Sequence, residues 1–209
     1  MPNTPFFRVS NWLYSASPRP SRLWPPSIRC RAAPPPWPLG LFGQNTADEC
    51  GGGIYTEDTT TLAASSLTYN GADCGGGLYN DDALTVSGTR FFGNGAEAGG
   101  GIYNDDTLTL TGGSFTENTA LAGGGLYEDW TATLTGTSFT QNKAAEVGGG
   151  IYKTNTNSDT LTNSQVEYNH APSGGGGGIY LDNGTVTLNS STVKWNTVNN
   201  CSGGFIAGC

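Results

Sequence analysis

The chain has 209 residues, enough for one sizeable domain or two small ones. Its formal net charge of −8 argues against nucleic acid as a main partner. No stretch approaches the ~18 consecutive apolar residues that a membrane-spanning helix needs, which excludes a transmembrane helix.

The first forty residues differ in composition from the rest. They hold ten of the eleven prolines, five of the six arginines and no acidic residue, a net charge of +5. Proline at this density lacks backbone donors and favours extended polyproline II over helix or sheet. Phe6-Phe7 and Trp12–Tyr14 are too short for the apolar core of a secretory signal, so no signal peptide is visible. We predict a disordered tail over residues 1–40 and a separate domain over residues 41–209.

Residues 41–209 form an internal repeat, which decides the predicted fold. A glycine triplet, an aliphatic residue and a tyrosine recur six times, with spacings of 24, 24, 24, 25 and 28 between the tyrosines. A degenerate seventh copy is Ser202–Ile206. The six tyrosines are Tyr55, Tyr79, Tyr103, Tyr127, Tyr152 and Tyr180.

A second signature follows each tyrosine by about twelve residues: an apolar residue, two variable ones and an asparagine. Stacked asparagine side chains can hydrogen-bond to one another and hold a turn, which predicts a structural ladder. Its members are Asn70, Asn94, Asn118, Asn142, Asn169 and Asn196.

Between the two signatures, residues alternate strictly between apolar and polar, as in Thr107-Leu108-Thr109-Leu110-Thr111. A period of two indicates a strand with leucines on one face and threonines on the other. Each unit therefore holds three short strands and no helix. We predict an all-β parallel β-helix, or β-solenoid, of about six full coils of 24–28 residues, stacked ~4.8 Å apart.

The repeat resembles that of the chlamydial polymorphic outer-membrane proteins, through Gly-Gly-x-(Ile/Leu) paired with Phe-x-x-Asn. It is also similar to the bacterial right-handed parallel β-helix repeat proteins of the pectin-lyase-like superfamily, and the similarity covers roughly residues 41–206. The resemblance implies a right-handed coil and an exported surface or adhesive protein. It also implies polysaccharide cleavage as an alternative, because some superfamily members cleave acidic polysaccharides.

An acidic row follows the tyrosine column, and its carboxylates would repel one another at ~4.8 Å by about 1 kcal/mol per pair even in water. A hard cation with oxygen ligands, with Ca²⁺ as the natural candidate, would relieve this repulsion. The alternative is a solvated turn whose side chains satisfy local backbone donors. No other cofactor is expected. The calcium candidates are Asp58, Asp81, Asp82, Asp105 and Asp106.

Two outward columns are candidate ligand faces. Stacked tyrosines can bind sugar rings, or they can simply stabilise the sheet through cross-strand contacts. A flat array of threonines resembles the face of some ice-binding solenoids, although threonine is also an ordinary outward strand residue. The candidates are Tyr55, Tyr79, Tyr103, Tyr127, Thr61, Thr85, Thr109 and Thr133.

Two of the four cations of the repeat have predicted partners. Lys153 lies one coil from Glu128, and Lys194 one coil from Glu167, which predicts two surface ion pairs. Arg90 has no carboxylate in its own column.

The cysteines leave their pairing open. Cys50 and Cys74 each precede a glycine triplet 24 residues apart, so stacking would bring them within disulfide range. Cys201 is expected in the same column or bonded to Cys209, and Cys30 has no assigned partner.

The C-terminal repeat is incomplete, because the seventh copy stops at Cys209 before its second and third strands. Phe205 and Ile206 would then lie on a last rung with no coil above them. Natural solenoids normally cover such an end. The sequence therefore predicts a chain truncated at its C-terminus and end-to-end self-association.

These observations favour a non-enzymatic β-helix protein, secreted or located at the cell surface or outer membrane. It would serve as a rigid stalk, an adhesion module or a platform for polysaccharide or cell-surface glycan. The first alternative is a polysaccharide lyase or hydrolase, and the second is an ice-binding protein acting through its threonine face. We assign no catalytic residue.

Overall fold

In the computed structural model, the described part of the chain is residues 40–209, together with the backbone of four short strands before them. Apart from these strands and Gly40, the predicted disordered tail over residues 1–40 lies outside the described residues. The strands, numbered along the chain, are β1 (Phe7–Val9), β2 (Trp12–Tyr14), β3 (Arg29–Cys30), β4 (Trp37–Pro38), β5 (Leu41–Gly43), β6 (Ile54–Thr56), β7 (Thr60–Ala63), β8 (Ser66–Thr68), β9 (Leu78–Asn80), β10 (Leu84–Ser87), β11 (Arg90–Phe92), β12 (Ile102–Asn104), β13 (Thr107–Thr111), β14 (Ser114–Thr116), β15 (Thr119–Ala122), β16 (Leu126–Glu128), β17 (Thr131–Thr135), β18 (Ser138–Thr140), β19 (Lys143–Val147), β20 (Ile151–Lys153), β21 (Ser158–Thr162), β22 (Gln165–Glu167), β23 (Ile179–Leu181), β24 (Thr185–Asn189), β25 (Thr192–Lys194) and β26 (Cys201–Gly203).

Each coil contributes one strand to each of three parallel sheets, so the predicted β-solenoid is confirmed, with about seven turns. The tyrosine sheet runs β26-β23-β20-β16-β12-β9-β6-β3, and the threonine sheet runs β24-β21-β17-β13-β10-β7-β4. The phenylalanine sheet runs β25-β22-β18-β14-β11-β8-β5. Strands β15 and β19 form a small parallel pair, and β1 and β2 an antiparallel one. Residues 40–209 contain no helix, and hence none long and apolar enough to cross a membrane.

The apolar core lies inside the coil, between the three sheets. The apolar side chains that point inward from the three sheets are buried, as the alternation predicts. In the phenylalanine sheet, Phe91, Phe115 and Phe139 are each 0% exposed. Their rings stack with centroids 4.5 Å apart at both steps, close to the strand spacing. Leu188 pairs with the buried Leu161 in the last strand of the threonine sheet. It is only partly buried because it lies near the C-terminal end.

The asparagine column forms the predicted ladder at the corner after the phenylalanine sheet. The side-chain amide of Asn94 donates to Asn118 Oδ1 at 2.9 Å and to the carbonyl of Leu67 at 2.9 Å. The backbone N–H of Asn94 donates to the same Oδ1 at 3.0 Å. Each inner asparagine thus links its own coil to both the preceding and the following coil. Asn45 extends the ladder at the N-terminal end.

The glycine triplets lie where the coil turns into the tyrosine sheet and backbones from neighbouring coils meet. Gly99 has a φ of +66°, which only glycine adopts at low cost. A Cβ atom on Gly100 would lie 2.5 Å from the carbonyl oxygens of both Gly124 and Thr119. The triplet is therefore a steric requirement of this corner.

The last rung differs in register from the predicted one. Cys201 pairs with Ile179 and Ser202 with Tyr180, so Cys201 occupies the inward aliphatic column. The predicted seventh copy at Ser202–Ile206 is therefore wrong, as is the placement of Cys201 in the column of Cys50. The cause is a short corner: Asn200, only four residues after Asn196, accepts the two hydrogen bonds that the next ladder asparagine would take.

The segment after the last strand covers part of the core end. Ile206 is 5% exposed and belongs to the apolar core, whereas Phe205 is 89% exposed. The expectation that both side chains lie uncovered is thus wrong for Ile206. A disulfide between Cys201 and Cys209 closes this segment. End-to-end self-association stays a prediction.

Successive coils near the N-terminal end are joined covalently. Cys50 and Cys74 form the disulfide that their spacing suggested, with Cα atoms 4.5 Å apart. The disulfide lies at the same corner as the glycine triplets. At this corner the backbone of Cys74 also forms an isolated parallel β-bridge with Ala98 of the next coil.

Candidate functional site

The tyrosine column forms a half-buried aromatic stripe on the outside of its sheet. Consecutive rings from Tyr55 to Tyr127 stack nearly parallel, with centroids 4.5–5.2 Å apart. Tyr152 meets Tyr127 edge-on at an interplanar angle of 80°. Because the parallel rings cover one another's faces, they present their edges and hydroxyl groups to solvent.

The acidic row lies directly beside this stripe. The Tyr79 hydroxyl donates to Asp105 Oδ2, one coil away, at 3.1 Å. Burial, together with the Asp105 and Asp81 carboxylates, raises the pKa of Tyr79 above its ordinary value, so the hydroxyl stays a donor at physiological pH. Partial burial and then the Asp105 carboxylate raise the pKa of Asp81. Stripe and row together form one continuous surface of hydroxyls and carboxylates, here named the tyrosine–aspartate face.

The acidic residues also take part in local turn structure. Asp82 Oδ1 accepts a hydrogen bond from the backbone N–H of Ala83, at 2.6 Å. Asp106 Oδ1 accepts the equivalent bond from Thr107. These bonds use one carboxylate oxygen per residue and leave the other available to a ligand or to water.

A second buried polar column supports this turn from inside, and sequence reasoning missed it. It consists of the residue after each tyrosine, which faces the interior because the strand alternates. Asn80 donates to Asn104 Oδ1 at 2.7 Å and to the carbonyl of Asp82, and Asn104 donates in turn to Glu128 and to the carbonyl of Asp106. The column comprises Thr56, Asn80, Asn104, Glu128 and Lys153, all 0% exposed, and it ends at the apolar Leu181.

The predicted surface ion pair between Lys153 and Glu128 is wrong, because both side chains belong to this buried column. Lys153 Nζ instead contacts Asp159 Oδ1 at 3.4 Å, inside the solenoid. Burial raises the pKa of Glu128 well above its ordinary value, and Asp159 adds to the increase. Burial also raises the pKa of Asp159 to about 6, against the opposing effect of Lys153.

The predicted ion pair between Lys194 and Glu167 is confirmed. Lys194 pairs with Glu167 at 3.5 Å and lies 4.0 Å from the ring centroid of Trp195. Arg90 is exposed and lies over the ring of Phe92 at 4.1 Å. His170 is exposed.

The threonine column follows the acidic row around the coil. Thr85, Thr109 and Thr133 are exposed and lie opposite one another in perfect register. Thr61 continues the column one coil earlier and is partly buried. The array is short, and ice binding through it stays a prediction.

Calcium binding by the acidic row can be tested by thermal unfolding. Within residues 40–209, no three histidine, cysteine or acidic side chains are grouped as a metal site. For a row that binds calcium, millimolar Ca²⁺ is expected to raise the melting temperature, because a ligand of the native state stabilises it. The double variant Asp82→Asn, Asp106→Asn should abolish that rise.

The matched control changes the same charge elsewhere. Asp48 and Glu97 are exposed at the corner before the glycine triplets, away from the row. The double variant Asp48→Asn, Glu97→Gln should keep the full response to Ca²⁺. A melting temperature of the wild type that does not respond to Ca²⁺ would leave the row as a hydrogen-bonded turn only.

The fold and its ladders define the class of this chain: an all-β repeat protein, built as a parallel β-solenoid. The model of the Chlamydia polymorphic membrane protein repeat matches residues 40–57 and 136–154. Both segments contain Phe-x-x-Asn followed by Gly-Gly-Gly-Ile-Tyr, so the motifs that carried the resemblance lie within the match. No curated protein and no solved structure matches the chain.

Proposed function

We propose that this protein is a non-enzymatic, cell-surface β-helix whose solenoid is a rigid stalk carrying a carbohydrate-binding face. The observation that carries the proposal is the unbroken pairing of seven to eight strands in each of the three sheets. The match to a membrane-protein repeat supports location at the outer membrane or cell surface.

Rigidity follows from the way in which the coils are joined. Every inner coil is hydrogen-bonded to both neighbours, by three sheets and by the asparagine ladder. Seven rungs at ~4.8 Å each extend over roughly 30 Å. A rod of this kind holds whatever it carries at a fixed distance and orientation from its base.

The tyrosine–aspartate face is the part of the rod best suited to a polysaccharide or a cell-surface glycan. Its parallel ring faces are already stacked on one another, so sugar rings cannot lie flat on Tyr79 or Tyr103. Hydroxyl and carboxylate groups, repeated at the strand spacing, can instead hydrogen-bond to sugar hydroxyls along an extended chain. We therefore expect recognition through hydrogen bonds.

Lyase activity has less support, because the cation nearest the acidic row is buried and two of the other three cations of the repeat lie against aromatic rings. Lys153, the cation nearest the acidic row, is 0% exposed and cannot reach a polysaccharide on the tyrosine–aspartate face. Lys194 and Arg90 lie against Trp195 and Phe92. A lyase would need a free cationic base beside its metal-carboxylate cluster.

Glycan binding is tested with hydroxyl-deletion variants. Tyr79→Phe with Tyr103→Phe keeps the stacked rings and removes two hydroxyl donors. At about 0.5–1.5 kcal/mol per hydrogen bond, affinity for a bound glycan should fall about tenfold on a glycan array. The control is Tyr69→Phe with Tyr168→Phe, two exposed tyrosines at the corner before the asparagine ladder, which should leave binding unchanged. Equal losses in both double variants would contradict the assignment of the face.

Location is tested on intact cells of the producing organism. Antibodies against residues 40–209 should label these cells without permeabilisation. Labelling that appears only after the envelope is opened would contradict a surface stalk, whatever the glycan array shows.

A further inference from the structure

Three ionisable side chains are enclosed together within the solenoid, at the end of the buried polar column. Glu128 and Lys153 are 0% exposed and Asp159 is 1% exposed. Full ionisation would place a net charge of −1 inside an apolar core, which is costly. The proposed stalk and ligand face make no use of this cluster.

The amine of Lys153 is held by three oxygen atoms. Nζ donates to the backbone carbonyl of Trp130 and to Asn155 Oδ1 at 2.8 Å, and it lies 3.4 Å from Asp159 Oδ1. A neutral amine has two N–H donors and one lone pair. Once two donors are taken by Trp130 and Asn155, the remaining position on Nζ is the one that faces the Asp159 carboxyl group.

The same carboxyl oxygen of Asp159 is also polarised by a backbone donor. The backbone N–H of Ala132 donates to Asp159 Oδ1 at 2.9 Å. A fixed N–H group aimed at a carboxyl oxygen stabilises negative charge that develops there during nucleophilic attack. Lys153 Nζ lies 3.4 Å from the same Oδ1, so the amine lies beside the carboxyl group whose carbon it would attack.

Glu128 is the other acidic side chain enclosed with this pair and is the candidate proton carrier. It lies directly opposite Lys153 in the parallel pairing of β16 with β20. Asn104 Nδ2 and the backbone N–H of Trp130 donate to its carboxyl group, each at 3.0 Å. Because burial raises the pKa of Glu128, this group holds its proton at a higher pH than an exposed glutamate does.

We propose that Lys153 and Asp159 condense spontaneously into an intramolecular amide, with Glu128 carrying the protons. The Lys153 ammonium first passes a proton to the Asp159 carboxylate, which turns a buried ion pair into a neutral amine and a neutral acid. The amine attacks Asp159 Cγ and forms the N–C bond. Glu128 gives its proton to the departing hydroxyl and takes one from the nitrogen.

The reaction is balanced without any co-reactant. The N–C bond forms, the C–O bond breaks, one water molecule leaves, and Glu128 ends in its starting protonation state. No atom is oxidised or reduced. The product removes two charges from the core and ties β20 to β21 across the turn at residues 154–157, which reinforces a stalk against pulling and proteolysis.

Mass spectrometry of the full chain tests the proposal, after complete reduction of disulfides. The wild type should be lighter than its calculated mass by one water molecule. Digestion should yield a branched peptide joining Lys153 to Asp159, and amine-specific labelling of the denatured chain should spare Lys153 while modifying Lys194. A wild type of full calculated mass with a labelled Lys153 would overturn the proposal and leave a buried ion pair.

Variants separate the roles of the three residues. Glu128→Gln should show the full calculated mass, or should lose water at least tenfold more slowly after refolding. Asp159→Asn should lose ammonia in place of water, and Lys153→Arg should lose neither. The control Glu167→Gln, at the exposed pair with Lys194, should form the crosslink as the wild type does. A crosslink formed equally fast in Glu128→Gln would overturn the assignment of Glu128.

Discussion

Replacement of Phe115 by alanine is expected to lower the free energy of unfolding by about 3–5 kcal/mol. Phe115 is 0% exposed, and its ring is stacked at 4.5 Å against both Phe91 and Phe139. The cavity cannot collapse easily, because the backbone positions around it are fixed by the coils above and below. Urea titration followed by circular dichroism measures the change, as a shift of the midpoint at constant slope.

The control for this variant is the same substitution at an exposed phenylalanine. Phe205 is 89% exposed, so Phe205→Ala should change the free energy of unfolding by less than about 0.5 kcal/mol. A change below that value for Phe115→Ala would mean that the assigned register does not hold in solution, since a shift by one residue exchanges the inner and outer faces.

The core could be predicted from sequence because the repeat fixes three independent registers. The glycine triplet, the alternating segment and the asparagine signature each recur in one phase. The inward or outward position of each column is therefore supported by six copies of the repeat. Leu108 and Leu110 alternate with threonines, and both are 1% exposed in the folded chain. A register error in one inner coil would have been visible as a break in the columns that pass through it.

The buried charges were missed for a chemical reason. The alternation that places Ile151 inside and Tyr152 outside also places Lys153 inside, so the signal was present in the sequence. Lys153 was nevertheless assigned to the surface, because lysine is almost never fully buried unless it is paired. The partner, Asp159, could not be found by column, since it comes from the threonine sheet and not from the neighbouring coil of the tyrosine sheet.

Backbone strain at the asparagine corner also escaped prediction. The residue before each of the seven asparagines of the column has positive φ, yet only one of the seven is glycine. Tyr69, Glu117 and Gln141, for example, have φ values of 55°, 55° and 57°. Such residues cost energy in this region and stay there only where surrounding contacts impose it. Here the ladder imposes it, because the next asparagine must direct both its N–H and its side chain along the stack.

The ladder itself is therefore expected to be the second large contribution to stability. Asn118 accepts from the backbone and side chain of Asn94, and it donates to Asn142 Oδ1 and to the carbonyl of Phe91. Asn118→Ala leaves two buried donors and at least one acceptor without partners, at about 1–3 kcal/mol each. We expect the free energy of unfolding to fall by about 3 kcal/mol or more, again measured by urea titration.

Asn45, at the N-terminal end of the same ladder, offers the matched control. It donates its backbone N–H and its side-chain amide to Asn70 Oδ1, at 3.0 and 2.9 Å. Asn45→Ala removes only the side-chain bond, and the backbone N–H still satisfies Asn70 Oδ1. Its cost should stay near the ~1 kcal/mol of a single net hydrogen bond. In a ladder, an inner asparagine that is bonded on both sides contributes more to stability than a terminal one. Equal losses of unfolding free energy in Asn118→Ala and Asn45→Ala would therefore show that the amides act separately.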